Sequence, residues 1–217
     1  MLKILDQQPS LMNRFLAELR DKDIQKDSMR FRRNIARIGE IAAYEISKVL
    51  NYEVRPVTTQ LGVAEVAQPT DRVVLATILR AGLPLHEGFL SYFDAAENAF
   101  VSAYRTGEGG GELEIKVEYI SCGSLEGKTL ILVDPMLATG MSLMAAYEAL
   151  LAKGGRPAHT HFVSVLACEE GVKYVLDHSD AESCTLWCAT VDPVLNTNKY
   201  IVPGLGDAGD LCYGAKL

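Results

Sequence analysis

Residues 129–142 read Thr-Leu-Ile-Leu-Val-Asp-Pro-Met-Leu-Ala-Thr-Gly-Met-Ser, and this stretch decides the fold class. Thr129 to Val133 is short, apolar and β-branched, so it predicts a buried strand. Small and hydroxyl-bearing residues follow from Asp134 to Ser142. A helix is expected over about 143–152, stopped by Lys153-Gly154-Gly155. The same rhythm continues outward, with strands expected at 162–167 and 185–190 and a helix at 169–176 between them. Upstream, Asp27-Ser28 can cap a helix from about 29 to 50, with Phe31, Ile35, Ile38, Ala42 and Val49 at three-to-four spacing. Pro56 and a short polar segment come next, then a strand at 73–79, a helix at about 84–92 and a strand at 99–104. Strand and helix alternate, which argues an α/β fold: a doubly wound, mainly parallel sheet flanked by helices.

Two segments stand apart from this rhythm. Residues 105–118 read RTGEGGGELEIKVE, where three successive glycines and alternating Leu113, Ile115 and Val117 predict a flexible hairpin projecting from the body, either an ordinary loose hairpin or a lid over a ligand. Residues 200–214 are rich in glycine and read as an irregular loop. The whole of 1–217 reads as one domain carrying these two appendages.

The chain of 217 residues is 48% hydrophobic and 23% charged, enough apolar material for a sizeable core and unlike a disordered or collagen-like chain. No apolar run approaches the ~20 residues of a membrane-spanning helix. The opening MLKILDQQPSLMNRFL carries Asp6 and lacks an apolar stretch followed by small residues, so no signal peptide is expected. A net charge of −7 argues against nucleic-acid or anionic-membrane partners, but leaves room for a local cationic pocket. The five cysteines are scattered. Cys184 and Cys188 lack a second ligand pair nearby, so they read as reduced thiols of a cytoplasmic protein rather than zinc ligands. His159 and His161 alternate on an expected strand and suit a wet edge.

The chemistry concentrates at the turns. In a parallel sheet, the turn after Val133 lies at the carboxyl edge, where ligands bind. Backbone N–H groups and the positive end of the following helix make an anion cradle, to which Thr139 and Ser142 add hydroxyl donors. Gly140 lets main chain approach closely, and Asp134 can meet sugar hydroxyls or a cation. No Gly-Lys-Ser/Thr follows, so this is not a P-loop of the Walker type. The competing reading is a plain strand–turn–helix junction with Ser142 as cap. Arg80, in Ile78-Leu79-Arg80-Ala81-Gly82-Leu83, can offer a forked donor to phosphate oxygens, or can form a structural salt bridge.

The segment Asp134-Pro135-Met136-Leu137-Ala138-Thr139-Gly140 resembles the phosphoribosyl-pyrophosphate (PRPP) loop of the phosphoribosyltransferases, in the form found in the uracil enzymes. Most relatives in the wider superfamily carry two adjacent acids here, whereas the uracil enzymes have Asp-Pro. Met141 stands where the family commonly has Gly. The segment around Arg80 is similar to the family's pyrophosphate loop, in which some relatives hold a cis peptide. Tyr104-Arg105 resembles a second PRPP-contacting site at the root of the lid. Tyr200-Ile201-Val202-Pro203-Gly204-Leu205-Gly206-Asp207-Ala208-Gly209-Asp210 resembles a family signature near the C-terminus, and Asp23-Ile24 and Arg30-Phe31-Arg32 fit its N-terminal pattern.

The resemblance implies transfer of the 5-phosphoribosyl group from PRPP to uracil, giving UMP and diphosphate. It implies PRPP contacts from Arg80, Arg105, Asp134, Pro135, Met136, Leu137, Ala138, Thr139, Gly140, Met141, Ser142 and Asp207. Uracil would be read by main chain at Ile201, Gly206 and Ala208, with Asp207 between base and PRPP; Asp207, Arg80 and Arg105 are the expected catalytic residues. Mg²⁺ is the implied cofactor, held mainly through PRPP, with no protein metal ligand assigned. A homodimer or higher homo-oligomer and a GTP activator are also implied. No histidine falls in any motif, so no dedicated general base is expected. Alternatives are a purine or orotate enzyme of the same fold, and a non-catalytic PRPP- or nucleotide-sensing regulator. Orotate would call for cationic groups facing its carboxylate, and the C-terminal loop offers none.

Overall fold

The computed structural model describes residues 1–106 and 114–215, without the side chains of 104–106, 114 and 115. In chain order the first elements are β1 (Leu2–Ile4), α1 (Leu11–Arg20), α2 (Ser28–Ser47), β2 (Tyr52–Thr58), β3 (Val63–Pro69), β4 (Val73–Leu79), α3 (Leu83–Leu90), β5 (Glu97–Thr106) and β6 (Glu114–Ser121). Then come β7 (Thr129–Val133), β8 (Met136–Leu137), α4 (Met141–Gly154), β9 (His159–Cys168), α5 (Glu169–His178), β10 (Cys184–Asp192), β11 (Val194–Leu195), β12 (Ile201–Val202) and α6 (Ala208–Tyr213).

The main sheet runs β1-β10-β9-β7-β4-β5-β6, with β8 paired to β9. All pairings are parallel except β5 with β6. Side chains alternate between the two faces. Leu75, Ile131, Val133 and Val163 pack against Met12, Leu16, Phe31, Ile35 and Phe89 of α1, α2 and α3. Val74, Ala76, Leu130, Leu132 and Phe162 pack against Leu143, Leu150, Val172 and Val175 of α4 and α5. With helices on both faces, a strand needs no polar side, which is why β7 is unbroken by a charge.

Helix α2 begins as expected, the Asp27 carboxylate accepting from the Met29 and Arg30 N–H groups at 3.1 Å each. It ends at Ser47 rather than near 50, and Val49, past the end, is 54% exposed. The polar segment expected after Pro56 is instead an antiparallel ribbon, β2 with β3, in which Pro56 pairs with Glu65. A proline is tolerated there because a two-stranded ribbon consists only of edges. The root of the expected hairpin is β5 paired with β6, Thr106 opposite Glu114. Its tip, 107–113, lies outside the described residues.

His161 corrects the wet-edge reading. Its strand, β9, is interior to the sheet, and the ring is 3% exposed. Its Nδ1 accepts a hydrogen bond from Trp187 Nε1 at 3.1 Å, and so must be unprotonated. Burial above all, with help from neighbouring His159 and against Asp71, pushes the imidazole down from 6.5 to about 4. The folded ring therefore takes a proton only near pH 4, while the unfolded ring takes one near 6.5. Stability is full above 6.5 and is lost as pH falls towards 4, by about 3 kcal/mol for this one group. Chemical denaturation at pH 7 and pH 4.5 should show a drop that is smaller in His161→Gln; equal drops would remove the assignment.

Candidate active site

Strands β4 and β7 lie side by side, and their carboxyl ends open into one cleft of about 960 Å³. After β4 the chain turns through a cis Leu79–Arg80 peptide, and Arg80 lines the cleft. Its Nη2 donates to the Gly214 carbonyl at 3.1 Å and meets Asp210 Oδ1 at 3.5 Å. Its buried Nε has no partner. The salt-bridge reading thus survives only as a long, half-exposed contact.

After β7 the chain is held down before it turns. Asp134 N–H donates to Val163 O at 3.0 Å, Leu166 N–H donates to Pro135 O at 2.9 Å, and Met136 and Leu137 pair with β9 as β8. Asp134, Met136, Leu137, Ala138, Thr139, Gly140 and Ser142 line the cleft; buried Pro135 and half-buried Met141 do not. Gly140 caps α4 with φ +84°, and no side chain caps this end. Gly140 carries the left-handed turn, so Met141 sits in ordinary helical backbone and its side chain costs the turn nothing. Ser142 is not the cap.

The third wall comes from the C-terminal segment, which corrects the expected irregular loop. Ile201 pairs with Leu195 across β11 and β12, and Ala208 opens α6. Asp207 caps that helix, its Oδ1 accepting from Asp210 N–H at 2.9 Å. Between these fixed ends, Val202–Pro203 is cis and Gly204 and Gly206 have positive φ. Ile201, Gly206, Asp207 and Ala208 all line the cleft, facing the cradle.

Sequence reasoning missed Ser102, Asn198, Lys199 and Tyr200, which also line it. Lys199 is the one described non-glycine residue with positive φ (61°), held by Asn196, whose Oδ1 accepts from Asn198 and Tyr200 N–H groups at 2.9 and 3.0 Å. The Lys199 ammonium turns to Glu170 Oε1 at 3.3 Å. The side chain of Arg105 lies outside the described residues; its backbone pairs with Ile115. Among the described residues of the cleft there is no histidine.

A doubly wound sheet whose carboxyl edge sets a small-residue turn opposite a glycine-rich, helix-capped loop is the arrangement that the phosphoribosyltransferase resemblance implied. The comparisons narrow it. The family model described as uracil phosphoribosyltransferase matches residues 7–215. A uracil phosphoribosyltransferase of Porphyromonas gingivalis is 55% identical over 208 residues, 96% of this chain and 95% of that one. One from Methanothermobacter thermautotrophicus is 37% identical over 217 residues, covering 99% and 95%. A solved Aquifex aeolicus protein superposes over the full length of both chains with a TM-score of 0.87 at 29% identity. The chain belongs to the uracil phosphoribosyltransferase family.

Proposed function

We infer that this cleft joins uracil N1 to carbon 1 of PRPP, releasing diphosphate and forming UMP. What carries the reading is the convergence of three separate segments, 78–81, 134–142 and 201–208, on one cleft in a chain of this family. The C1–diphosphate bond breaks as the C1–N1 bond forms, and the sugar carries positive charge in between. The protein's part is therefore positioning and charge control. The cradle from Ala138 to Ser142 takes the 5′-phosphate, Asp134 meets the ribose hydroxyls, and Arg80 and Arg105 meet the diphosphate. Asp207 uses Oδ1 as a cap and lies between base and PRPP. The uracil N1 proton passes to the departing diphosphate or to water rather than to an imidazole.

Mg²⁺ would be held here mainly through PRPP, beside Asp134 and Asp207, and would supply charge neutralisation. Among the described residues no group of three or more His, Cys, Asp or Glu could hold it unaided, and Asp134 and Asp207 are the carboxylates at hand. The resemblance further supports a homodimer or higher homo-oligomer and GTP activation, readable by light scattering and by assays with and without GTP. A cytoplasmic location fits five cysteines that form no disulfide. No described helix is long and apolar enough to cross a membrane.

A spectrophotometric assay with uracil, PRPP and Mg²⁺ tests the function; UMP must appear, and must require PRPP. A second test addresses the cradle. Thr139→Val with Ser142→Ala should weaken PRPP binding about 30- to 150-fold, at ~1–1.5 kcal/mol for each of the two hydroxyls lost to a phosphate. The melting temperature of the free protein should hold, because neither hydroxyl caps α4. A lower melting temperature with PRPP affinity intact would sink the cradle assignment.

A further inference from the structure

Arg20 ends α1 and Asp192 ends β10, and neither lines the cleft. Their side chains nevertheless form a bidentate fork, Nη1 to Oδ2 and Nη2 to Oδ1, both at 2.7 Å. Asp192 is 5% exposed. Burial pushes the Asp192 carboxyl up, but the bonds from Arg20 and from the Gly204 N–H outweigh it and hold the group below its ordinary value. Both partners then reach Gly204, one on each of the two peptide groups that flank its Cα. Arg20 Nη1 donates to the Gly204 carbonyl at 3.1 Å, and the Gly204 N–H donates to Asp192 Oδ2 at 2.9 Å. Gly204 has φ +61°, and a Cβ there would lie 2.0 Å from the Ile201 carbonyl oxygen. The carboxamide of Gln25, with its nitrogen towards the loop, adds a bond to the Leu205 carbonyl at 2.8 Å.

A buried ion pair adds little net stability over apolar packing of the same volume. Its distinguishing property is direction, since a guanidinium–carboxylate fork is rigid in its plane. Here that plane grips a turn halfway between Ile201 and Ala208. We propose that Arg20 and Asp192 are positioning residues for base binding: they fix the peptide groups on both sides of Gly204 and so set where the main chain of 201–208 stands in the cleft. The inference rests on reading that segment as the uracil-binding wall. Displacing such a wall by about 1 Å misaligns the base with carbon 1 and costs up to about 100-fold. The PRPP cradle, on β7 and α4, is left in place.

The test compares wild type, Arg20→Lys, Arg20→Met, Asp192→Asn and Gln25→Ala, measuring KM for uracil, KM for PRPP, direct PRPP binding in the absence of uracil, and melting temperature. Arg20→Met and Asp192→Asn should raise the uracil KM about 10- to 100-fold with PRPP binding within about twofold of wild type. Arg20→Lys should recover part of the loss, and combining Arg20→Met with Asp192→Asn should add little to either alone, because one clamp is removed in both. Should Arg20→Met not fold, Arg20→Lys and Gln25→Ala carry the same comparison at smaller amplitude. An unchanged uracil KM, or equal losses for uracil and PRPP, overturns the clamp while leaving the base-binding wall standing. A wild-type protein that does not turn over uracil overturns the wall and the clamp with it.

Discussion

Cytosine is expected to be used at least ~10⁴-fold less efficiently than uracil, while 5-fluorouracil is accepted. Uracil offers acceptor, donor and acceptor along its O2–N3–O4 edge. Cytosine replaces the N3 donor with an acceptor and O4 with an amino donor. In our reading the edge is met by main chain at Ile201, Gly206 and Ala208, which cannot rotate as a hydroxyl or carboxamide can. The structure makes those groups stiff at both ends: Ile201 is paired to Leu195, and Ala208 is the first residue of a helix capped by Asp207. Two mismatched contacts would be left buried, each costing ~1–3 kcal/mol, and sites that hydrogen-bond their substrate in this way reject analogues by ~10⁴ or more. Truncation of the Ile201 side chain, which packs into the core, should alter affinity without altering this preference. Comparable kcat/KM for the two bases would remove the main-chain reading.

Arg80→Ala should raise the PRPP KM about 10- to 150-fold and leave folding nearly untouched. A charge-assisted bond to phosphate contributes ~1.5–3 kcal/mol, which sets that range. The contacts Arg80 makes without ligand are weaker. The Asp210 pair is 3.5 Å long and about 40% exposed on each side, a kind that contributes ~0–1 kcal/mol. Substrate kinetics and thermal melting therefore part company. A variant with wild-type PRPP kinetics would show that Arg80 belongs to the C-terminal contact alone.

The parallel sheet was legible because its strands are apolar on both faces, so Val73–Leu79 and Thr129–Val133 announce themselves without periodicity. The cradle was legible because Asp134-Pro135, Thr139-Gly140 and Ser142 sit at fixed spacing after such a strand. Other parts were hidden for physical reasons. Strand β2 carries Pro56 and is exposed at every position, so burial left no mark on its sequence. Helix α6 is six residues long and includes Gly209, too short for a 3.6-residue repeat to show. Three-residue β1 gains its meaning only from pairing with β10. His161 looked solvated because strand position, unlike residue type, is set by the rest of the sheet. Lys199 takes a conformation that glycine usually fills, and only its neighbour Asn196 hints at the turn that holds it.

Strand order also sets a timetable. A ribosome delivers the chain from the N-terminus at about 5–20 residues per second. Strand β1 emerges long before β10, its neighbour in the sheet among the described residues, with Leu2 set opposite Leu186. Arg20 likewise waits for Asp192, 172 residues further on. The middle of the sheet, β4 with β5 and β7, can assemble while synthesis continues; the opening segment must be kept from other partners for ten seconds or more, on the order of the elongation time. Loop closures of that length make folding slow relative to a chain of local contacts. The 134–142 turn, tied to β9, should therefore be ordered before the 201–208 segment, and pulse-labelling of stalled chains should recover that order.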